Sequence, residues 1–349
     1  MPINTLTSKI NIPTDTSTAT ESATTAELMS SAACLFDQSP DLSCFVRELD
    51  DPIWQEKGVK LKVLRLDQLH PQVSGNKWLK LKGTLQHAQE QGFNQIVSFG
   101  GPYSNHLHAL AWAGAKLGLK THGVVRGRPE FLTNPTLSDV VQWGMSISFV
   151  SYQRYREKTE PAYLERLQQV WGERTLIVPE GGAGPHALKG FVELFNHRSV
   201  SGETHMAIAA GTGGSLAGLL AGVASQTQLI AVPVIKGASR LLGDVRQMLV
   251  TSALHNDQQQ QALARLQREA ATLLDHHGHY GGYGKVTPEL MDFIEAFEAQ
   301  HKIPLEPVYT GKLFKRLYEL LEAGRFQRGD CVLAVHTGGL QGNRGFGRA

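Results

Sequence analysis

From about residue 60 onward, short apolar runs alternate with longer stretches whose apolar residues recur at helical spacing, and that rhythm predicts parallel strands joined by helices. Strands are expected at 96–99, 123–125, 146–150, 176–178, 206–209, 229–234 and 332–335, and helices around 77–91, 105–117, 161–171 and 287–300. The fold class is therefore α/β. The stretch Met206–Ala224 runs 19 residues without a charge, which is the length of a membrane span. Gly211, Gly213 and Gly214 interrupt it, so it reads as strand, turn and helix instead. The polar run Gln258–Gln261 reads as the solvated face of a helix, and no internal repeat is found.

Length and charge narrow the picture. A chain of 349 residues suits one large α/β unit or two domains sharing a cleft. With 34 Lys and Arg against 32 Asp and Glu, the formal charge of +2 offers no field for nucleic acid or an anionic membrane, which leaves a small metabolite as the expected partner. Cys34, Cys44 and Cys331 stand far apart with no CxxC pair, arguing against a disulfide framework and a zinc site and for a reducing cytoplasm. The Ser- and Thr-rich start, residues 1–34, reads as a disordered tail and resembles neither a secretory signal nor a transit helix.

Four expected strands lead into glycine pairs: Gly100–Gly101, Gly181–Gly182, Gly213–Gly214 and Gly338–Gly339. Any one pair could simply end a strand. Together they suggest the walls of a cleft at the carboxyl ends of the strands, where glycine lets the backbone approach a ligand. Within them, Gly211-Thr212-Gly213-Gly214-Ser215 follows a strand and opens an apolar helix, an arrangement that favours a phosphate. Ser74-Gly75-Asn76-Lys77-Trp78-Leu79-Lys80 sets one lysine at a helix start among apolar residues and a second three positions on. Desolvation there would lower the pKa of the Lys77 amine and leave it nucleophilic, and a lysine near phosphate-binding glycines suggests a Schiff base to pyridoxal phosphate. Ser104 or Asn105 can cap the helix that follows the strand at 96–99, or can hold a substrate carboxylate. His106 and His108 make no convincing metal pair.

These segments together resemble the pyridoxal-phosphate family of 1-aminocyclopropane-1-carboxylate deaminases and D-cysteine desulfhydrases over about residues 45–340. The resemblance implies a tryptophan-synthase-β-like architecture: two open twisted-sheet α/β domains with the cofactor cleft between them, the larger from 35–79 and 189–349, the smaller from 80–188. It implies Lys77 as the covalent attachment point for pyridoxal 5'-phosphate. Lys80, Thr212, Gly213, Gly214 and Ser215 would contact the phosphate, and Asn105 the ring oxygen. Ser104, Asn105 and His106 would bind the substrate, with Ser104 also aiding proton transfer. Gly282-Tyr283-Gly284 and Val308-Tyr309-Thr310-Gly311-Lys312 match the family's two tyrosine segments, making Tyr283 and Tyr309 catalytic and Thr310 a contact of the ring. It also implies a homodimer.

Two positions bear on the substrate. Thr310 stands where family members acting on the cyclopropane amino acid carry a glutamate, and His106 where they carry glutamine; both resemble the desulfhydrases. Tyr103 and Leu107-His108 depart from the family pattern, so the pocket differs from both named activities. The expected function is α,β-elimination on a small amino acid such as D-cysteine, giving pyruvate, ammonia and sulfide. The alternative is 1-aminocyclopropane-1-carboxylate deamination to 2-oxobutanoate and ammonia. A protein that binds the cofactor without turnover, and a nicotinamide-dependent oxidoreductase built on the 211–215 glycines, are the rivals from other classes.

Overall fold

The computed structural model describes residues 41–196 and 202–348; the tail expected at 1–34 lies outside the described residues. The chain begins with β1 (Val46–Glu48), α1 (Pro52–Glu56), β2 (Lys60–Arg65) and α2 (Asn76–Glu90). Next come β3 (Gln95–Gly100), α3 (Asn105–Lys116), β4 (Lys120–Arg126), α4 (Pro135–Gln142), β5 (Ser146–Val150), α5 (Tyr152–Tyr155), α6 (Pro161–Trp171) and β6 (Thr175–Val178). The remainder is α7 (Lys189–Asn196), β7 (His205–Ala210), α8 (Gly214–Gly222), β8 (Gln228–Pro233), α9 (Leu241–Val250), α10 (Asn256–Leu273), α11 (Pro288–His301), α12 (Thr310–Glu322) and β9 (Cys331–His336). Contacts divide the chain into two units at Thr84/Leu85, inside α2, and at Gly181/Gly182.

The unit formed by residues 85–181 holds a four-stranded, wholly parallel sheet in the order β5-β4-β3-β6. Its strand β4 starts at Lys120 rather than at the expected Gly123. The extra residues are polar, yet Thr121 and His122 are buried, and His122 Nδ1 lies 2.7 Å from Ser146 Oγ on β5, so a partner rather than apolarity admits them to the sheet. Val97, Phe99 and Val124 of the sheet pack against Tyr155, Tyr163 and Leu167 of α5 and α6.

The unit formed by residues 38–84 and 182–349 holds a five-stranded sheet, β1-β2-β9-β7-β8, parallel except for the antiparallel edge strand β1. All residues of β7 and β9 are buried, as parallel strands covered on both faces must be. The uncharged stretch 206–224 splits into β7 and α8, and no helix among the described residues is long and apolar enough to cross a membrane. Strand β2 does not stand out in the hydrophobic pattern because Lys60, Lys62 and Arg65 interrupt it. In the fold, Lys62 pairs with Glu203 at 3.1 Å and Arg65 grips Asp67 through two bonds of 2.8 and 2.7 Å. Neighbourhood in the order β2-β9-β7 brings three connections side by side at the carboxyl end of the sheet: the one into α2, the one after β9, and the one into α8.

The gln-rich run expected on a helix surface lies in α10, with Gln260 and Gln261 exposed, while Gln259 donates to the Leu249 and Val250 carbonyls that end α9, both at 2.9 Å. A buried polar knot ties the start of the same unit to its end. Asp51 caps α1 by accepting from the amides of Ile53 (3.0 Å) and Trp54 (3.3 Å), faces His301 Nε2 at 3.0 Å, and accepts from the Tyr318 hydroxyl. Burial and the Asp51 carboxylate push the Tyr318 hydroxyl up. Replacing Asp51 by Ala removes the cap and the carboxylate that both His301 and Tyr318 bond, so it should cost about 3 kcal/mol or more. Thermal unfolding should then shift down by about 6 °C or more; a melting temperature unchanged by Asp51→Ala would contradict this reading.

Candidate active site

The larger unit supplies a lysine-bearing helix start. Gly75 sits at φ +66° immediately before α2, and a Cβ there would lie 1.9 Å from the Thr337 carbonyl oxygen, so only glycine permits this close approach of the two loops. The backbone bonds Gly75 N–H to Leu66 O and Asn76 N–H to Thr337 O, each 3.1 Å, fix where α2 begins. Lys77, the second residue of α2, is half-buried, and its amine donates to Asn76 Oδ1 at 2.7 Å. Asn76 Nδ2 in turn donates to Ser215 Oγ at 2.7 Å, linking the start of α2 to the first turn of α8. Burial lowers the Lys77 amine to about 8, with the Glu306 carboxylate opposing the shift. Lys80, one turn on, is buried, and burial together with the Lys77 charge drives its amine well below the usual lysine range.

Those amines lie beside a helix N-terminus. Gly213 caps α8 at φ +85°, and a Cβ on Gly214 would stand 2.9 Å from Lys80 Nζ. Ser215 is buried and Thr212 is exposed at the loop tip. Two buried amines that repel each other, next to the free amides of a helix start, form a site that an anion would relieve. The residues present therefore fit a phosphate ester carrying a group that can react with an amine. Among the described residues no cluster of His, Cys, Asp and Glu could hold a metal.

The tyrosine segments lie in the same unit. Tyr309 packs its ring against Gly211, where a Cβ would stand 3.0 Å from Cε1. Tyr283 is half exposed and meets Tyr309 edge to face, with 6.0 Å between ring centroids. Thr310, fully buried, opens α12. Glu306, which carries no role in the sequence reading, organises this corner: its carboxylate accepts from the amides of Val308 (2.8 Å), Tyr309 (2.7 Å) and Thr310 (2.6 Å). The Glu306 amide donates to Thr310 Oγ at 2.9 Å. Burial raises the Glu306 carboxyl and the three amides hold it down. The sequence carries no capping pattern for it, because Glu306 lies three residues before the cap position Tyr309. Asn76 was legible only as a neighbour of Lys77.

Ser104, Asn105 and His106 belong to the smaller unit. Ser104 caps α3, its Oγ accepting from the Leu107 amide at 3.2 Å, and Gly100 is required beneath it because a Cβ there would stand 2.6 Å from Ser104 Oγ. Ser104 and Asn105 are half buried at the end of β3, next to the exposed Tyr103. His106 turns the other way. It is buried, with Nε2 2.8 Å from Ser98 Oγ, and because that hydroxyl donates to Val178 O at 2.7 Å, Nε2 must carry the proton. His108 faces α4, with Nε2 3.0 Å from Asp139 Oδ2 and its ring edge-on to Trp143.

A profile of the pyridoxal-phosphate dependent enzymes matches residues 51–338. The chain belongs to that family. Its cofactor is pyridoxal 5'-phosphate, and it is an enzyme. It is similar to the D-cysteine desulfhydrase of Klebsiella pneumoniae, 29% identical over 297 residues, covering 81% of this chain and 87% of that protein. It is also similar to the mitochondrial bifunctional D-cysteine desulfhydrase/1-aminocyclopropane-1-carboxylate deaminase of Arabidopsis thaliana, 25% identical over 308 residues, covering 82% and 73%. A crystal structure of an ACC deaminase homologue superposes with a TM-score of 0.71 at 26% identity, covering 91% of this chain and 97% of that one. The two parallel sheets are those of the tryptophan-synthase-β-like fold.

The depressed Lys77 amine gives a direct test on the cofactor-free protein. In competitive acetylation read by mass spectrometry, Lys77 should gain reactivity with a midpoint near pH 8. Glu306→Gln removes the carboxylate that raises this amine, so the midpoint should fall further. A Lys77 midpoint above 10, or an upward shift in the variant, would contradict the electrostatic account.

Proposed function

We propose that this protein cleaves a small β-substituted amino acid by α,β-elimination, with D-cysteine as the expected substrate and pyruvate, ammonia and hydrogen sulfide as products. The observation that carries the choice is the N-terminus of α12. Thr310 offers a hydroxyl there, and the Glu306 carboxylate is engaged by three backbone amides. Opening a cyclopropane ring begins without an α-proton to remove and needs a strong electron sink, which a carboxylate beside the ring nitrogen would support. Elimination of a thiol needs much less, because the negative charge on Cα leaves with sulfur at once.

Pyridoxal phosphate, when bound, supplies the electron withdrawal that acidifies the α-carbon of an amino acid joined to it. The chain's own residues do the rest. The α8 amides with Lys80 and Ser215 would hold the phosphate, and the Lys77 amine, at about 8, would be the attachment point for the cofactor. As a free base the Lys77 amine would take the proton from Cα, and Ser104 with Tyr309 would assist. Ser104 and Asn105, at the α3 N-terminus, bind the substrate carboxylate with side-chain and backbone donors. His106 acts from behind, anchoring α3 to β3 through Ser98. Tyr283 and Tyr309 position the substrate and carry protons at the β-substituent. Balance requires one water: cysteine and water give pyruvate, ammonia and hydrogen sulfide. The reading carries with it the homodimer implied by the resemblance and the cytoplasmic location expected from the isolated cysteines.

Specificity constants measured for both substrates in one preparation test this. D-Cysteine should exceed 1-aminocyclopropane-1-carboxylate by at least about tenfold, a difference in transition-state stabilisation that a changed partner of the ring nitrogen accounts for. Faster release of 2-oxobutanoate from the cyclopropane amino acid would defeat the Thr310 argument.

A further inference from the structure

Lys312 is fully buried, which is rare for a lysine unless its charge has partners. Its Nζ donates to two backbone carbonyls, His279 O at 2.9 Å and Gly282 O at 2.6 Å. Both acceptors belong to the segment that carries Tyr283. That segment is glycine-rich, with Tyr280, Gly281, Gly282 and Gly284 all at positive φ, at 42°, 88°, 114° and 68°, and its own turns close through Gly282 N–H to His279 O at 2.9 Å and Lys285 N–H to Gly282 O at 3.1 Å. Tyr283 is 48% exposed and meets Tyr309 edge to face, and the backbone that carries it is the one these carbonyls belong to. We propose that Lys312 is a positioning residue: its buried ammonium clamps the glycine-rich 279–284 segment to α12 and so sets Tyr283 over Tyr309.

The rest of the same helix face supports this. Arg316, one turn after Lys312, grips Asp275 through bonds of 2.8 and 3.0 Å, and Gly278 admits no side chain because a Cβ would meet Val232 at 2.2 Å and Arg316 at 3.2 Å. Lys315 stands over the Tyr280 ring at 5.5 Å. These contacts hold the approach to the loop. Lys312 reaches the carbonyls next to Tyr283 from α12 and does so inside the protein, where hydrogen bonds from a charged donor are strongest. An apolar side chain would fill the same space without a desolvation cost, so the ammonium is retained for the bonds it makes. Burial lowers this amine to about 8 while the Glu306 carboxylate raises it. Glu306 thus serves both tyrosine segments, capping the helix of one and supporting the cation that holds the other.

The inference rests on the proposed role of Tyr283, and the test separates the two. Lys312→Met keeps the stem and removes the donors; Lys312→Gln keeps one donor and serves if the methionine variant does not fold. In the cofactor-loaded protein, hydrogen exchange at 279–285 should speed up about tenfold or more in Lys312→Met, with β7 and β9 unchanged and Lys312→Gln between. Steady-state kinetics should show KM raised about tenfold with kcat nearly kept. In a Tyr283→Ala background the further substitution of Lys312 should change KM less than about twofold, because the two residues then act as one unit. Unchanged exchange at 279–285 would overturn the clamp whatever the substrate is. Faster exchange with KM losses that multiply in the double variant would overturn the link to Tyr283 while leaving the elimination reading intact.

Discussion

Two lysine amines buried one turn apart at the start of α2 constrain everything around them. Burial depresses both amines and the Lys77 charge depresses Lys80 further, so neither is comfortable as a cation without a counter-anion. The fold answers by setting the N-terminus of α8 beside them, with glycine at 214 so that the backbone can approach Lys80. It locks the arrangement from behind with Gly75, pressed against the Thr337 carbonyl, and from the side with the Lys77–Asn76–Ser215 chain of hydrogen bonds. An enzyme whose cofactor joins a phosphate to an amine-reactive aldehyde needs both features in one place.

A second constraint concerns α12. Its first turn is held by a buried carboxylate rather than by a side chain at the cap position, and the same carboxylate faces Lys77 and Lys312 electrostatically. Glu306 therefore couples the lysine helix, Tyr309 and, through Lys312, the loop of Tyr283. The coupling explains why a chain with a hydroxyl at 310 still keeps a carboxylate four residues earlier: it organises the corner, engaged by three backbone amides.

The parts of this arrangement that were legible in the sequence are local ones. The apolar run ending in Gly211-Thr212-Gly213-Gly214 announces a strand, a phosphate-sized turn and a helix because each step is written in consecutive residues. Lys77 stood out by its setting between Asn76 and Trp78, and Ser104 by its place at a helix start. Glu306 and Lys312 did not stand out, since the partners of both are backbone amides and carbonyls, which no residue type reveals. Lys312 also wears the ordinary disguise of a surface charge. β2 was hidden because its lysines and arginine break the apolar pattern, and only the fold shows the carboxylates of Glu203 and Asp67 that accept them. His106 was singled out by its motif position, but the direction of its ring depends on Ser98 of the neighbouring strand, a contact that spacing does not encode.

The central claim is that the amine of Lys77, and no other, carries the cofactor. Borohydride reduction of the cofactor-loaded protein, followed by digestion and peptide mapping by mass spectrometry, addresses it directly. The account predicts a pyridoxyl group on Lys77 alone, and none in a Lys77→Ala variant that retains its fold; a pyridoxyl group on Lys80, Lys312 or any other lysine, or full turnover by that variant, would contradict it.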